Sequence, residues 1–407
     1  MSDADRHRLL REVAHSGFCS HPVRLVGEAV NLVTGEVNPR QFKVACKDRR
    51  QSVCPACSDR YETDAWIIVA AGLNGGKGVP DSVASAPRVF VTVTAPSFGA
   101  VHGARDHGFC VARDRQELNC PHGRNRWCEK RHDSTDSDVG HPLCDQCFDA
   151  YAAIRWNSHA SALWSRTVQE ARRGLAGVLG VGRSALSEVA HLHYAKVAEL
   201  QRRGLVHFHA LFRVDLADIG VHVNVDDVVS VLQRAISTTT LRDGDDFYRW
   251  GKVFDVGKLG ESLRDTRGVA SYLAKYVTKT AGGNIELARR FRTRRQIAQL
   301  VSDSHLRRLA LVAWDMNRER SANTLGYSGQ FITKSRGYST SFQALRAARA
   351  EFWKSGVDGD EVDATYTYNG RGYDDPRASD LADVLARLER ERRIEARREL
   401  RERHEDR

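Results

Sequence analysis

Apolar and polar residues alternate in three stretches of the chain, and this alternation predicts β-strands. Residues 88–94 read RVFVTVT, and residues 187–199 and 205–214 form two further runs joined by the sequence QRRG. Alternating β-branched residues are typical of a half-buried strand, and two such runs joined by a short glycine-containing turn predict an antiparallel hairpin. The central part of the chain is therefore expected to hold an antiparallel sheet.

Helical patterns surround these strands. The sequence predicts helices at 150–176, 225–241 and 268–280, the last ended by two glycines, and an Arg-rich helical stretch at 284–320. Residues 378–407 pair acidic and basic residues at helical spacing, which predicts a solvated helix. We therefore expect an α+β fold in which one helix packs beside the sheet.

Composition and breaks in the pattern divide the chain into four segments. Residues 1–84 form a cysteine-rich region, and residues 85–285 form a central domain with an insertion at about 105–150. Residues 286–352 are expected to be a basic helical segment, and residues 353–407 a linker followed by the charged helical tail. The chain has 62 Lys and Arg against 52 Asp and Glu, a net charge of +10, which suits a nucleic-acid partner.

The first residues have no apolar core of the kind found in a secretory signal. No apolar run approaches the roughly 20 residues of a membrane span. A cytoplasmic location without a membrane partner is therefore expected.

All nine cysteines lie between Cys19 and Cys147, which indicates metal binding rather than disulfides in a reducing compartment. Two CxxC pairs mark zinc knuckles. The simplest grouping predicts two structural zinc ions, the first bound by Cys19, Cys46, Cys54 and Cys57 and the second by Cys120, Cys128, Cys144 and Cys147. Cys110 is left over, and His122 and His132 are possible substitutes.

The sequence His207-Phe208-His209 places two imidazoles on one face of the second hairpin strand. With the turn centred at Arg203, Glu199 falls opposite His207 on that face. Two histidines and one carboxylate suit Mg²⁺ or Mn²⁺ acting on a phosphate. The pair His191 and His193 is a weaker candidate, because the predicted hairpin gives it no acidic neighbour.

Residues 272–279 read YLAKYVTK, a repeated YxxK unit. Tyr272 and Tyr276 share one helix face, and Lys275 and Lys279 lie close enough to neutralise a phosphate or a phenolate. A tyrosine hydroxyl can form a covalent phosphotyrosine with DNA if cations lower the barrier. The alternative is an ordinary amphipathic helix with two packed tyrosines.

Three motifs in this order resemble the His-hydrophobic-His superfamily of single-strand endonucleases: FVTVTAPS at 90–97, HFH at 207–209 and YLAKYVTK at 272–279. The paired tyrosines resemble the two-tyrosine type. From about residue 17 to 350 the chain is similar to the rolling-circle replication initiators of actinobacterial plasmids and integrative conjugative elements. The stretch 326–338 is less rich in Gly and Arg than the corresponding segment of these initiators usually is.

The resemblance implies a nick in one strand of origin DNA that is single-stranded at the cut, a 5′ phosphotyrosine link, and a free 3′ hydroxyl. Host helicase and DNA polymerase are the implied partners. Single-tyrosine relatives imply that Tyr276 attacks first, and Tyr272 then serves the terminating transfer or else only orients the substrate. Two alternatives remain, a two-tyrosine rolling-circle transposase and a non-catalytic zinc-dependent DNA-binding regulator.

Basic and aromatic residues after the tyrosine helix are the expected DNA contacts. Basic side chains would hold phosphates, and an aromatic ring would stack on an unpaired base. These candidates are Arg292, Arg294, Arg295, Lys334, Arg336 and Tyr338.

Overall fold

The computed structural model describes residues 3–32, 34–104, 110, 119–217, 220–259, 263–277, 285–354 and 362–405. These residues fold as two compact units. One, the terminal unit, is built from Met1–Ile68 and Ser341–Arg407, and the other, the central unit, is Val69–Thr340. The boundaries differ from those of the four sequence segments, because the two ends of the chain fold together.

The strands follow one another along the chain with a long interval between the third and fourth. They are β1 Val23–Asn31, β2 Val37–Val44, β3 Arg88–Val93, β4 Ala190–Leu200, β5 Val206–Leu216, β6 Leu241–Asp243, β7 Asp246–Tyr248, β8 Phe254–Lys258, β9 Ile332–Lys334 and β10 Val362–Arg371. The helices are α1 Asp3–His15, α2 Pro55–Asn74, α3 Ala150–Val178, α4 Leu186–Val189, α5 Val225–Thr238, α6 Leu263–Val277, α7 Arg294–Leu300, α8 Ser304–Asp315, α9 Phe342–Lys354 and α10 Pro376–Glu405.

The terminal unit contains an antiparallel sheet in the order β10-β1-β2. Helices α1 and α10 pack together through four buried side chains, those of Leu9, Val13, Ala378 and Ala382. The helical tail predicted at 378–407 is present as α10, but it is packed on α1 at its start, and the predicted linker contains strand β10. The Gly- and Asp-rich composition of the predicted linker made the alternating sequence ATYTYN of β10 hard to recognise. The many charges of the tail did the same for a row of alanines on α10, whose small side chains allow close helix packing.

The central unit contains a five-stranded sheet in the order β8-β3-β5-β4-β9, in which all neighbours are antiparallel. This confirms the antiparallel sheet and the hairpin, with Glu199 opposite His207 and Val197 opposite His209. The hairpin turn needs Gly204, because its φ is +80° and an added Cβ would lie 2.1 Å from Leu309 Cδ1.

The two faces of this sheet carry different residues. The face that bears Phe208 and Phe212 packs on α3, where Trp164 lies 5.8 and 5.6 Å from their rings. The opposite face bears His207 and His209, and helix α6 packs against β4. Because neighbouring residues of a strand point to opposite faces, one strand both anchors the core and presents the histidines.

The Arg-rich stretch predicted as helical at 284–320 is several short pieces. Helices α7 and α8 are each capped by a side chain, that of Thr293 and that of Asp303, and short 3₁₀ turns lie at Ile285–Ala288 and Glu319–Thr324. A capping residue ends the preceding segment because its own backbone is extended.

Candidate active site and metal centres

His207 and His209 lie side by side on β5, with ring centroids 4.5 Å apart, and both are almost fully buried. Thr92 on β3 pairs with His209 across the sheet, and its Oγ1 lies 3.2 Å from His209 Nδ1. This contact occupies one nitrogen of the ring and turns Nε2 towards α6. Gln201 Nε2 lies 3.5 Å from His207 Nδ1, at the limit of a hydrogen bond.

Glu199 joins this group from the neighbouring strand. Its Oε2 lies 3.5 Å from His209 Nε2, so the carboxylate and the imidazole face the same space. Burial, and to a smaller extent the neighbouring imidazole of His209, lower the pKa of His207 to about 4. His207 is therefore a neutral imidazole at pH 7, the form that binds a metal ion.

The two tyrosines of α6 lie over His209. The hydroxyl of Tyr272 is 3.5 Å from His209 Nε2, and the ring of Tyr276 is centred 5.0 Å from that of His209. The rings of the two tyrosines are centred 4.7 Å apart. Both phenols therefore converge on one imidazole, although they are one helical turn apart in sequence.

Tyr272 is 40% exposed, so a substrate can reach it from solvent. Its pKa is raised above the usual value by burial, then by Tyr276 and by the negative charge of Glu199. A cation between Glu199 and the tyrosines would reverse the last of these effects. Lys275 is exposed on the same helix, and Lys279 lies outside the described residues.

Cys19, Cys46, Cys54 and Cys57 form a compact group, with Cys46 and Cys57 sulfurs 3.6 Å apart and Cys19 and Cys54 sulfurs 3.8 Å apart. A tetrahedral ion with Zn–S bonds of about 2.3 Å places its sulfurs roughly 3.8 Å apart. The group thus has the dimensions of a four-sulfur zinc site.

The second predicted zinc site has a different member. Cys120, Cys144 and Cys147 gather with His122 instead of Cys128, and His122 Nδ1 lies 3.2 Å from Cys147 Sγ. The prediction of Cys128 in this site is corrected, because the turn at Cys120 brings His122 to the CxxC pair. In each cysteine group the ligand atoms all lie within 4.8 Å of one another. Among the described residues, the ligand atoms of His207, His209 and Glu199 do not meet this condition.

The candidate DNA contacts divide into exposed and internally engaged side chains. Arg292, Arg295 and Arg336 are exposed. Arg294 makes two contacts with Asp315, at 2.8 and 3.1 Å, and Lys334 Nζ donates to three backbone carbonyls of its own loop.

Tyr338 is fully buried, and its hydroxyl donates to the carbonyl of Val69 at 3.1 Å. The prediction that Tyr338 stacks on DNA is therefore wrong, because a ring held inside the sheet and helix packing has no free face.

One residue of the site, Thr92, was missed in the sequence. Thr92 fixes the ring of His209, and Asp255 on β8 pairs with Thr92, so the two share a face of the sheet with His209. Asp255 stands two strands from His209, roughly 10 Å away. The alternation of RVFVTVT indicates the face of Thr92, but only the strand order identifies its neighbours.

Within the part of the chain that the structure describes, no helix is both long enough and apolar enough to cross a membrane.

The chain thus has an antiparallel sheet with a histidine pair and a carboxylate on the face covered by two tyrosines of α6, and it has two cysteine groups of zinc-site dimensions. The family of RepSA, the replication initiator protein of pSAM2, matches residues 5–387. A replication initiator protein of Streptomyces ambofaciens is 32% identical, over 91% of this chain and 86% of its own length. The chain belongs to this family of replication initiators. No solved structure matches it.

Proposed function

We propose that this protein initiates rolling-circle replication by cutting one strand of origin DNA with a tyrosine. The observation that carries the proposal is the convergence of Tyr272 and Tyr276 on His209, whose Nε2 also faces Glu199. A packed tyrosine needs no carboxylate beside it, whereas phosphoryl transfer needs a nucleophile, a metal ligand set and access to solvent in one place.

His207, His209 and Glu199 are the residues that would hold Mg²⁺ or Mn²⁺, since two imidazoles and one carboxylate on a single face suit these ions. Such an ion would withdraw charge from the scissile phosphate and favour ionisation of a nearby phenol. Three protein ligands would leave further coordination positions of such an ion open to phosphate oxygens.

In the reaction, the tyrosine oxygen forms a bond to phosphorus as the bond from phosphorus to the 3′ oxygen breaks. The phenol proton is lost to solvent, and the 3′ oxygen takes up a proton. The products are a 5′ phosphotyrosine and a free 3′ hydroxyl, from which a host polymerase extends while a host helicase separates the strands. The second tyrosine then cuts the regenerated site, and the strand is rejoined.

Replication, rather than transposition or regulation without catalysis, is the proposed role because family and relative are both described as replication initiators. The test is incubation of the full chain with a supercoiled plasmid that carries the parent element's origin, in Mg²⁺ and in Mn²⁺. We expect an open circle with protein attached to the 5′ end of the nick. A plasmid without the origin is the control. Tight origin binding with no nick in either metal would favour the regulator.

A further inference from the structure

The segment between β3 and α3 contains a third group of metal-binding side chains. His102, Cys128 and His132 bring their ligand atoms within 4.8 Å of one another, and none of them belongs to the two cysteine groups described above. Cys110, the cysteine that both of those groups leave out, lies in the same segment and is 5% exposed. These side chains therefore form a third group, separate from the other two.

The distances within this group match a tetrahedral zinc ion. His102 Nδ1 lies 3.1 Å from His132 Nε2, and Cys128 Sγ lies 3.4 Å from the same nitrogen. With Zn–N bonds of about 2.0–2.1 Å and Zn–S bonds of about 2.3 Å, tetrahedral angles place two nitrogens roughly 3.3 Å apart and a nitrogen and a sulfur roughly 3.6 Å apart. The agreement is as close as in the four-cysteine group.

Asp136 orients His132 as a metal ligand. Its side chain is fully buried, and its Nδ1 lies 2.6 Å from Asp136 Oδ2. A carboxylate at one ring nitrogen holds the proton there and leaves the lone pair of the other nitrogen for the metal, which is the usual arrangement of metal-bound histidines. Cys128 Sγ accepts a hydrogen bond from the backbone of Lys130 at 3.4 Å, a contact that stabilises a thiolate.

Cys110 lies beside this set, although its sulfur is not among the ligand atoms that lie within 4.8 Å of one another. Its sulfur accepts a hydrogen bond from the amide of Gly103, the residue after His102, at 3.3 Å. Its carbonyl accepts from the amide of Cys128 at 2.6 Å, and its amide donates to the carbonyl of Lys130 at 3.1 Å. The backbone of Cys110 is thus paired with that of one ligand, and its sulfur lies beside the chain of another.

We propose that His102, Cys110, Cys128 and His132 bind a third structural zinc ion. With this site all nine cysteines of the chain are zinc ligands. The site is closed, with two sulfurs and two nitrogens, so it contributes folding free energy rather than catalysis. It is independent of the proposed nicking reaction, because none of its ligands lies in the histidine and tyrosine site.

The position of this third zinc site suggests what it stabilises. Arg202, in the β4–β5 turn, donates to the carbonyl of Asp136, the residue that holds His132. Gly140 lies so close to the same turn that an added Cβ would be 2.6 Å from Arg202 Cβ. The zinc-bound loop is therefore packed on the turn that joins Glu199 to His207.

The first test is the zinc content of the full chain, purified without chelator and measured by native mass spectrometry and elemental analysis. We expect three zinc ions per chain. Zinc-edge X-ray absorption should give an average of three sulfurs and one nitrogen per zinc. In the native protein, Cys110 and Cys128 should resist iodoacetamide as well as the other cysteines do. A folded protein with two zinc ions, in which only Cys110 and Cys128 are alkylated, would overturn the proposal.

Variants supply the second test. His132→Ala and Cys110→Ser should each lower the zinc content from three to two. His141→Ala is the matched control, because His141 lies in the same segment but binds Asp303 instead of the cluster, and it should keep three. Three zinc ions in folded His132→Ala protein would also refute the site. If the variants do not fold, the alkylation pattern of the unaltered chain still decides.

Discussion

The β4–β5 hairpin carries two His-x-His pairs on one face of the sheet, and their surroundings differ. His207 and His209 lie under the tyrosines of α6 and near Glu199, whereas His191 and His193 lie at the other end of the hairpin, away from its turn. The second pair does have an acidic neighbour, contrary to the sequence prediction. Asp215 is opposite His191, and its Oδ2 is 3.5 Å from His193 Nε2.

The two histidine pairs differ in the side chains that contact their carboxylate and their imidazoles. Two nitrogens of the Arg213 guanidinium, Nε and Nη2, donate to the two oxygens of Asp215 at 2.6 and 2.7 Å, which neutralises the charge of the carboxylate. The other nitrogen of His193 lies 3.2 Å from Ser335 Oγ. Side chains contact both ring nitrogens of His193 and of His209. Those at His193 are a serine and an aspartate that is held by Arg213, whereas Nε2 of His209 faces Glu199 and the phenol of Tyr272. A His-x-His pattern becomes a candidate site only where its neighbours supply a nucleophile, as the two tyrosines of α6 do here.

The largest expected effect separates the two pairs directly. Alanine at His207 or His209 should lower cleavage of a single-stranded origin oligonucleotide by about 1,000-fold or more, equivalent to roughly 4 kcal/mol of transition-state stabilisation. Binding of the oligonucleotide should persist. Gel separation of cleaved strands measures the first effect, and fluorescence anisotropy measures the second.

His191→Ala and His193→Ala are the matched controls on the same face, and we expect their cleavage rates to stay within about threefold of the unaltered protein. Equal losses in both pairs would show that the hairpin as a whole, and not the site under α6, limits the reaction. Full activity of the His207 and His209 double variant would refute the metal assignment.

The sequence predicted much of this site because strand geometry is regular. Once the turn was centred at Arg203, alternation placed Glu199 opposite His207, and helical spacing placed Tyr272 near Tyr276. It did not predict the pairing of Cys128, because ligand choice depends on how a loop without repeating structure folds. Nor did it predict that Tyr338 is buried, because an aromatic residue among basic ones has the same local pattern at a DNA surface and under a sheet.

Replacement of each tyrosine by phenylalanine tests which hydroxyl group is the first nucleophile. Tyr276→Phe should lose the covalent adduct with a single-stranded origin substrate, whereas Tyr272→Phe should keep it and release fewer closed circles. Phenylalanine keeps the ring packing and removes only the nucleophilic oxygen. Adducts are detected as a shifted band in denaturing electrophoresis.

The opposite result is informative, because the Tyr272 hydroxyl is the one 3.5 Å from His209 Nε2. Loss of the adduct in Tyr272→Phe alone would make Tyr272 the first nucleophile and reverse the order taken from the resemblance. Equal adducts in both variants would show that the two tyrosines are interchangeable.

A smaller effect is expected at the carboxylate. Glu199→Ala should weaken Mn²⁺ or Mg²⁺ activation by about 10- to 100-fold, because one of three ligands is lost, and high Mn²⁺ should restore most of the rate. The titration of cleavage rate against metal concentration measures this. Asp215→Ala is the control from the other pair and should leave the metal dependence unchanged. A rate that does not recover in high Mn²⁺ would argue that Glu199 acts in another way.

The smallest expected effect is on pH-dependent stability. Burial lowers the pKa of both His207 and His193 to about 4, below the 6.5 of an exposed histidine. Since the folded protein binds the proton less tightly than the unfolded chain, each histidine's stabilisation is complete above pH 6.5 and is lost as the pH falls from 6.5 towards 4. For each residue the loss between pH 7 and 5.5 is about 1 kcal/mol at most.

Urea unfolding at these two pH values can separate the two histidines. His207→Asn and His193→Asn should each lose less stability between pH 7 and 5.5 than the unaltered protein does. Mn²⁺ distinguishes the pairs, because an ion that binds neutral His207 favours the folded state by mass action. Added Mn²⁺ should therefore stabilise the unaltered protein and His193→Asn but not His207→Asn. If Mn²⁺ stabilises His207→Asn as strongly as His193→Asn, the ion binds elsewhere, and the two histidine pairs differ only in the helix that lies above them.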